Sequence, residues 1–426
     1  MQTLQIILIF AIFFAGAYLM MTKKLPAILA LPIMGILIAA IAGVPFKSDN
    51  PEINSIMDFV IAKGGIKLAS TIIVTIYGAI FAKIIQKKGI SDSIIKRAAE
   101  LAGDKPTIIA IAITAAIAII FTAMSGAGAV IMVSQIAIPI FLASGIESLV
   151  ASCLILFGLN IGLIFNVSLY QIFIDSIGMD IETIKSYSIV MGIVSTIITL
   201  IYIYFNVYRK GLKGTRKSWC ANVCKNNDVN IFALFTPILP IVLVFFLKWN
   251  PDTALILSII ITALIVRPME IVQDLSSSVV EGIKDVAGVI GLMIGIGILL
   301  NAVSAPQSVE LIKPVISFIT PTNPIMYILI FTILSPLALY RGPLNMFGLG
   351  SGIAKILLLS GLSIPVVGMA LKSTSMVQTV TDPTNTQNVI IAGFAKVDVN
   401  DILKSTLPYT MLMTLGILIY SAITLF

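Results

Sequence analysis

The sequence has no histidine, only three cysteines, and few charges: Asp, Glu, Lys and Arg make up 11% of its 426 residues. Each shortage excludes something. Without histidine no Ser-His, Cys-His or H-E-x-x-H arrangement can exist, and the commonest general base and proton relay is missing. An enzyme is therefore not expected, and no cofactor is implied. Three cysteines do not form a disulfide framework: Cys153 lies in an apolar stretch and reads as packing, while Cys220 and Cys224 fall in a basic loop. Lacking histidine partners, they do not suggest a metal site. An ordinary soluble chain carries about a quarter charged residues, so the low charge also argues against a water-soluble protein.

What is present is apolar. Hydrophobic residues reach 58%, and runs at 4–20, 26–46, 186–208 and 403–426 approach or exceed the roughly 20 residues that span a bilayer. The first run lacks a basic flank and a small-residue cleavage site, so it reads as a retained span and not a signal peptide. The net charge of +7 matches the Lys/Arg excess on the cytoplasmic face of membrane proteins. It does not point to nucleic acid. The partners implied are the lipid bilayer and a small solute.

A second copy of the pattern follows the first at an offset of about 216–219 residues. Gly65-Ile66-Lys67 recurs as Gly282-Ile283-Lys284, Ile94-Ile95-Lys96 as Leu311-Ile312-Lys313, Pro106 as Pro324, Ser144-Gly145 as Ser360-Gly361, and Lys185-Ser186 as Lys404-Ser405. Charge placement predicts how the copies are oriented. The segment after 66–85 holds Lys83, Lys87, Lys88, Lys96, Arg97 and Lys105, whereas the equivalent after 286–300 holds only Lys313. The first is expected inside and the second outside, which is the mark of an inverted-topology repeat. Lys23, Lys24 and the basic linker 209–225 then fall on the cytoplasmic side, and both termini fall outside.

The predicted fold is an all-α membrane protein of two five-helix halves, about ten spans in all, each with a re-entrant hairpin and a broken helix. The first half covers 1–208, with its hairpin at 106–143 and its broken helix at 148–180. A cytoplasmic linker covers 209–230. The second half covers 231–426, with its hairpin at 324–360 and its broken helix at 363–395. The hairpin tips are predicted at Ser125-Gly126-Ala127-Gly128 and Arg341-Gly342-Pro343-Leu344-Asn345. Ordinary helical pairs joined by surface turns are the alternative. Non-helical backbone at membrane depth is tolerated only where protein or a water-filled cavity satisfies it.

The breaks are predicted at Thr381-Asp382-Pro383-Thr384-Asn385, where Pro383 lacks an N–H and disfavours helix at Asp382, and at its weaker counterpart, Asn160 and Asn166 with Ser168. Arg341 is a candidate for a carboxylate through its fork of donors, or a structural partner of Asp382. Asp382 is a candidate for Na⁺ or a coupling proton, or simply the cap of an Asx turn. Lys355 and Lys372 are expected to snorkel to the interface.

The stretches at 338–351 (ALYRGPLNMFGLGS) and 381–388 (TDPTNTQN), with the repeat, resemble the ion transporter superfamily. They are most similar to the citrate-transporter-like and gluconate-permease-like permeases of prokaryotes. The resemblance covers nearly the whole chain. It implies a scaffold domain from the first three helices of each half, a transport domain from hairpins and broken helices, a carboxylate substrate, cation coupling and a homodimer. The Ser-Asn-Thr motifs with which that superfamily binds carboxylates are absent from both tips. Thr384-Asn385-Thr386 is the nearest approach.

The expected function is secondary active transport across the cell membrane: Na⁺- or H⁺-coupled symport of a small organic anion such as citrate, a dicarboxylate or gluconate. Ser125, Gly126, Gly128, Arg341, Gly342, Asn345, Thr384 and Asn385 would hold the anion. Asn160, Asn166, Thr381 and Asp382 would hold the coupling cation. A cation/proton antiporter without organic substrate and a non-transporting assembly subunit are the alternatives.

Overall fold

The computed structural model describes every residue except 1, 23, 51–52, 210–228, 267–270 and 322. The expectations for Lys23, Cys220, Cys224 and nearly all of the linker lie outside the described residues. Those residues form helices joined by turns, with no β-strand among them. Six helices are long and apolar enough to cross a membrane: Gln2–Met20, Ala69–Lys87, Ser148–Phe165, Ile181–Arg209, Val272–Ser304 and Val399–Leu425. A bent pair at Pro324–Ile333 and Ser335–Arg341 supplies a seventh if it counts as one span. The rest of a ten-span count would have to come from shorter apolar helices such as Ala27–Ile41 and Pro251–Ile265.

The element boundaries repeat as the sequence does. Ile90–Ala102 recurs as Pro306–Ile319, and Gln171–Ile177 as Thr386–Ala395. Ser148–Phe165 recurs as Ile364–Thr381, offset by 216 at both ends (148 to 364, 165 to 381). The halves differ where one 34-residue helix, Ile271–Ser304, stands for a π-helix, Ile56–Lys63, followed by Ala69–Lys87. At 1.5 Å per residue that helix is about 51 Å long, so it extends well beyond a roughly 30 Å hydrocarbon core.

Repeat-related helices pack against each other, and two such pairs run antiparallel. Lys83 pairs with Asp285 at 2.8 Å, Lys87 with Glu281 at 2.6 Å, and Lys88 with Asp274. The partner numbers fall as the lysine numbers rise, so Ala69–Lys87 and Ile271–Ser304 are antiparallel. Three lysines of the basic segment are thus ion-paired to the other half. The helices Ile181–Ile203 and Val399–Leu425 give the same answer: Tyr187 bonds Thr424, and Tyr202 bonds Ser405.

The buried side chains form two clusters. One joins the first two helices, the π-helix, the C-terminal part of Ile271–Ser304 and Leu311 and Ile312. The larger joins both hairpins, both broken helices and the long helices that follow them. Close approach of backbones ties the latter together. A Cβ on Gly162 would lie 2.4 Å from the Ala118 carbonyl, and one on Gly158 2.7 Å from that of Thr114. This small-xxx-small face seats the first hairpin arm directly on the first broken helix.

The two hairpins are not alike. The first has arms of 16 and 17 residues, about 24–26 Å long. The second has an arm of 10 residues bent by 42° into a 3₁₀ turn and a return arm of 10 residues, about 15 Å each, too short to cross a bilayer alone.

Candidate functional site

Each broken helix ends on a residue whose side chain does two tasks. Ser148–Phe165 stops at Asn166, with φ −70° and ψ 108°. Ile364–Thr381 stops at Asp382, with φ −67° and ψ 113°. The positions are 216 residues apart and share one backbone conformation. Asn166 Oδ1 accepts from the Ser168 N–H and hydroxyl. Asp382 Oδ1 accepts from the Thr384 N–H at 2.9 Å and hydroxyl at 2.7 Å. Both are Asx turns, satisfying an N–H that the break frees.

The rest of each side chain reaches the tip of its own hairpin. Asn166 Nδ2 donates to the carbonyls of Phe121 and Met124, each at 3.2 Å. Asp382 Oδ2 accepts from the Tyr340 N–H at 3.0 Å. Met124 and Tyr340 are themselves 216 apart. The brace is therefore repeated, with donor and acceptor exchanged: an amide faces carbonyls in one half and a carboxylate faces an N–H in the other. Carbonyls freed by the breaks are also satisfied. Gln387 Nε2 and Asn388 Nδ2 donate to Thr379 and Val380. In the first half the Tyr170 hydroxyl donates to Ile164, the 216-residue counterpart of Val380.

The sequence-predicted residues divide as follows. Asn166 and Asp382 are buried and brace the tips. Thr381 is buried, its hydroxyl 3.1 Å from those of Thr406 and Thr410. Asn160 is buried with its Nδ2 donor unpartnered. Asn345 holds the second tip together, donating to Ala338 and accepting from the Phe347 N–H. Gly342 is required by contact, since a Cβ there would lie 2.3 Å from the Leu337 carbonyl. Gly128 sits beside Lys83, Gln86 and Asp285. Gly126, at φ +91°, is exposed, and Ser125 is half-buried. Asn385 caps Thr386–Ala395 by position but its side chain makes no cap bond.

Arg341 is exposed at the second tip in a left-handed conformation (φ 57°), and its guanidinium donates to the Phe347 carbonyl. It forms no ion pair with Asp382, whose oxygens are taken by N–H and hydroxyl donors. Asp382 is joined to this tip through the N–H of the neighbouring Tyr340, and the opposite charges of Arg341 and Asp382 act on each other without direct contact. A cleft of ≈ 500 Å³ opens at this brace, lined by Tyr340, Pro383, Thr384, Val389 and the start of the last helix.

Lys372 corrects another expectation. It is 5% exposed, donates to the Ser188 hydroxyl, and lies 4.7 Å from the centroid of the Tyr170 ring. It does not snorkel; the surrounding helices enclose it. Lys355 is half-buried. Sequence reasoning also passed over Asp175, which caps the helix Ala69–Lys87 from 104 residues away by accepting from the Thr71 N–H and hydroxyl.

The broken helices pack on each other, and the arm after each break crosses to the other half. Thr386–Ala395 lies on Ala127–Ala143, and Gln171–Ile177 lies on Gly350–Leu359. Each half's break thereby completes the other half's hairpin.

Comparison with known proteins gives three findings. A family model described as DcuC, C4-dicarboxylate anaerobic carrier, matches residues 2–426. No curated protein matches the sequence. Among solved structures, the YdaH transporter of Alcanivorax borkumensis superposes with a TM-score of 0.63 at 13% identity, over 93% of this chain and 97% of that one. MtrF of Neisseria gonorrhoeae, described with a class of antimetabolite efflux pumps, superposes at 0.60 and 13% identity, over 94% and 95%. At that identity the likeness concerns the fold. The narrower tie to citrate-transporter-like permeases rests on sequence motifs alone.

Proposed function

The chain belongs to the DcuC family of C4-dicarboxylate anaerobic carriers, and from that membership we propose that it is a secondary active transporter carrying a C4-dicarboxylate across the cell membrane by alternating access. The observation that carries the proposal is the match over residues 2–426. The antiparallel packing of repeat-related helices supports an inverted pair of halves, each with its hairpin tip held at its own break. The 15 Å arms of the second hairpin support a re-entrant reading there.

In this proposal the anion meets the tips. Arg341, exposed, with its guanidinium on the Phe347 carbonyl and in the field of Asp382, offers a fork of donors suited to a carboxylate, beside a cleft that Thr384 lines. Ser125 and the first-tip amides serve the other side. An unpartnered buried donor suits an anion better than a cation, so Asn160 moves from the cation set to the anion set. Asp382 and Asn166 hold the tips in register with the breaks, and a coupling Na⁺ or H⁺ would act on that brace. The missing Ser-Asn-Thr motifs do not weigh against a dicarboxylate, since backbone donors and Arg341 supply the same chemistry. We further propose a homodimer, as the resemblance implies.

The test is uptake of labelled fumarate or succinate into proteoliposomes containing the full chain, under separate Na⁺ and H⁺ gradients. The expected result is saturable uptake, competed by other C4-dicarboxylates and driven by one gradient. Absence of uptake under every gradient contradicts the proposal.

A further inference from the structure

Lys372 stands midway along Ile364–Thr381, 5% exposed, in contact with two neutral groups. Ser188, which accepts one of its protons, itself donates to the Ile184 carbonyl. The Tyr170 ring face takes a second direction at 4.7 Å. An ammonium has three donors, so one direction is left. An ammonium buried without an anion carries a desolvation penalty that neutral partners do not offset.

Lys355, Tyr340, Tyr409 and Tyr420 lie on elements packed against this helix, and none of them bonds Lys372. Most of the other ionisable groups there are engaged elsewhere. Lys185 pairs with Glu182, and Lys404 with Asp401. Asp175 is held by Thr71 and Gln171, and Arg341 by Phe347. Tyr187, Tyr202 and Tyr327 bond Thr424, Ser405 and Val366; Tyr170, whose hydroxyl bonds Ile164, turns its ring face to the amine. No carboxylate bonds or ion-pairs with Lys372 among the described residues. Nor does the repeat need a lysine here, because the position 216 residues earlier is Leu156, buried and apolar.

The location is informative. Tyr170 directly follows the 3₁₀ turn Val167–Leu169 that Asn166 caps, so Lys372 brings a basic group from the second half to the break of the first.

We propose that Lys372 is the counter-charge for a carboxylate of the transported anion, protonated while the anion is bound and neutral when the site is empty. This rests on the transport reading above. The amine gains one proton as ammonium when the carboxylate arrives, and both leave together, so one proton accompanies each anion and no unpaired charge stays buried. The carboxylate takes the free N–H direction when the arm Gln171–Ile177 parts from the helix.

The experiment measures labelled fumarate uptake into proteoliposomes across about pH 5.5 to 8.5, for the wild type, Lys372→Met and Lys372→Arg. For the wild type, the apparent KM should rise about tenfold per pH unit once the empty-site amine is neutral. Lys372→Met should raise KM roughly 30-fold or more, as when one partner of a buried charge pair is removed. Lys372→Arg, always charged, should keep uptake but lose the pH dependence. In detergent without substrate, Lys372→Met should melt higher than the wild type, which a purely structural lysine would not produce. Wild-type KM and pH profile in Lys372→Met overturn the inference alone, while no wild-type uptake overturns the proposed function. If Lys372→Met does not fold, Lys372→Arg decides: an unchanged pH profile overturns the inference.

Discussion

At the scale of single residues, the brace between tip and break turns on the difference between an amide and a carboxylate. Asp382 offers only acceptors to Tyr340 and Thr384, while Asn166 divides itself between acceptor and donor. Asp382→Asn should therefore set an NH₂ against the Tyr340 N–H and release the second tip. The expected cost is about 1–3 kcal/mol for a buried group left unpaired, with uptake lost more steeply than stability. Thermal unfolding in detergent, measured beside uptake, separates the two. The alignment of Asn166 with Asp382 was legible because the offset is constant and Pro383 marks one break. The partners Met124 and Tyr340 were not, because a backbone amide or carbonyl leaves no trace in residue type. Lys372 was misread for a related reason: its long side chain permits snorkelling, and only the positions of Ser188 and Tyr170 show that it is enclosed.

At the scale of elements, the hairpins and broken helices carry the geometry. The first hairpin arm is seated on the first broken helix through Gly158 and Gly162, four residues apart on one helical face. Gly162→Leu should force the arm away from Ala118 and Phe121, costing about 1–3 kcal/mol as an overpacked site. A fall in detergent melting temperature with loss of uptake is the expected result. The sequence showed both hairpins as similar apolar pairs, yet their arms differ in length by a third or more. Ser335-Pro336 and the left-handed pair Tyr340-Arg341 shorten the second, and hydropathy responds to neither. The polar run after Asp382 was legible as a break. That Gln387 and Asn388 turn back to Thr379 and Val380 depends on the angle between two helices, which composition does not encode.

At the scale of the whole molecule, two halves related by a nearly constant offset interlock through their post-break arms. Short matches spread along the chain led to the expectation of a duplication, and the charge pattern to that of inversion; the antiparallel packing of the matching helices agrees with that proposal. Lys83, Lys87 and Lys88 contributed to that pattern, and they turn out to bind the partner helix that runs the opposite way. The most direct test of inverted halves working one transport site is labelling of single cysteines at Ser125 and Val389, in a chain whose three native cysteines are replaced. Val389 lines the cleft at the second brace; Gly342 tolerates no side chain. The account predicts labelling of the two positions by an impermeant thiol reagent from opposite sides of the membrane, each slowed by fumarate. Labelling of both from the same side, indifferent to fumarate, would contradict it.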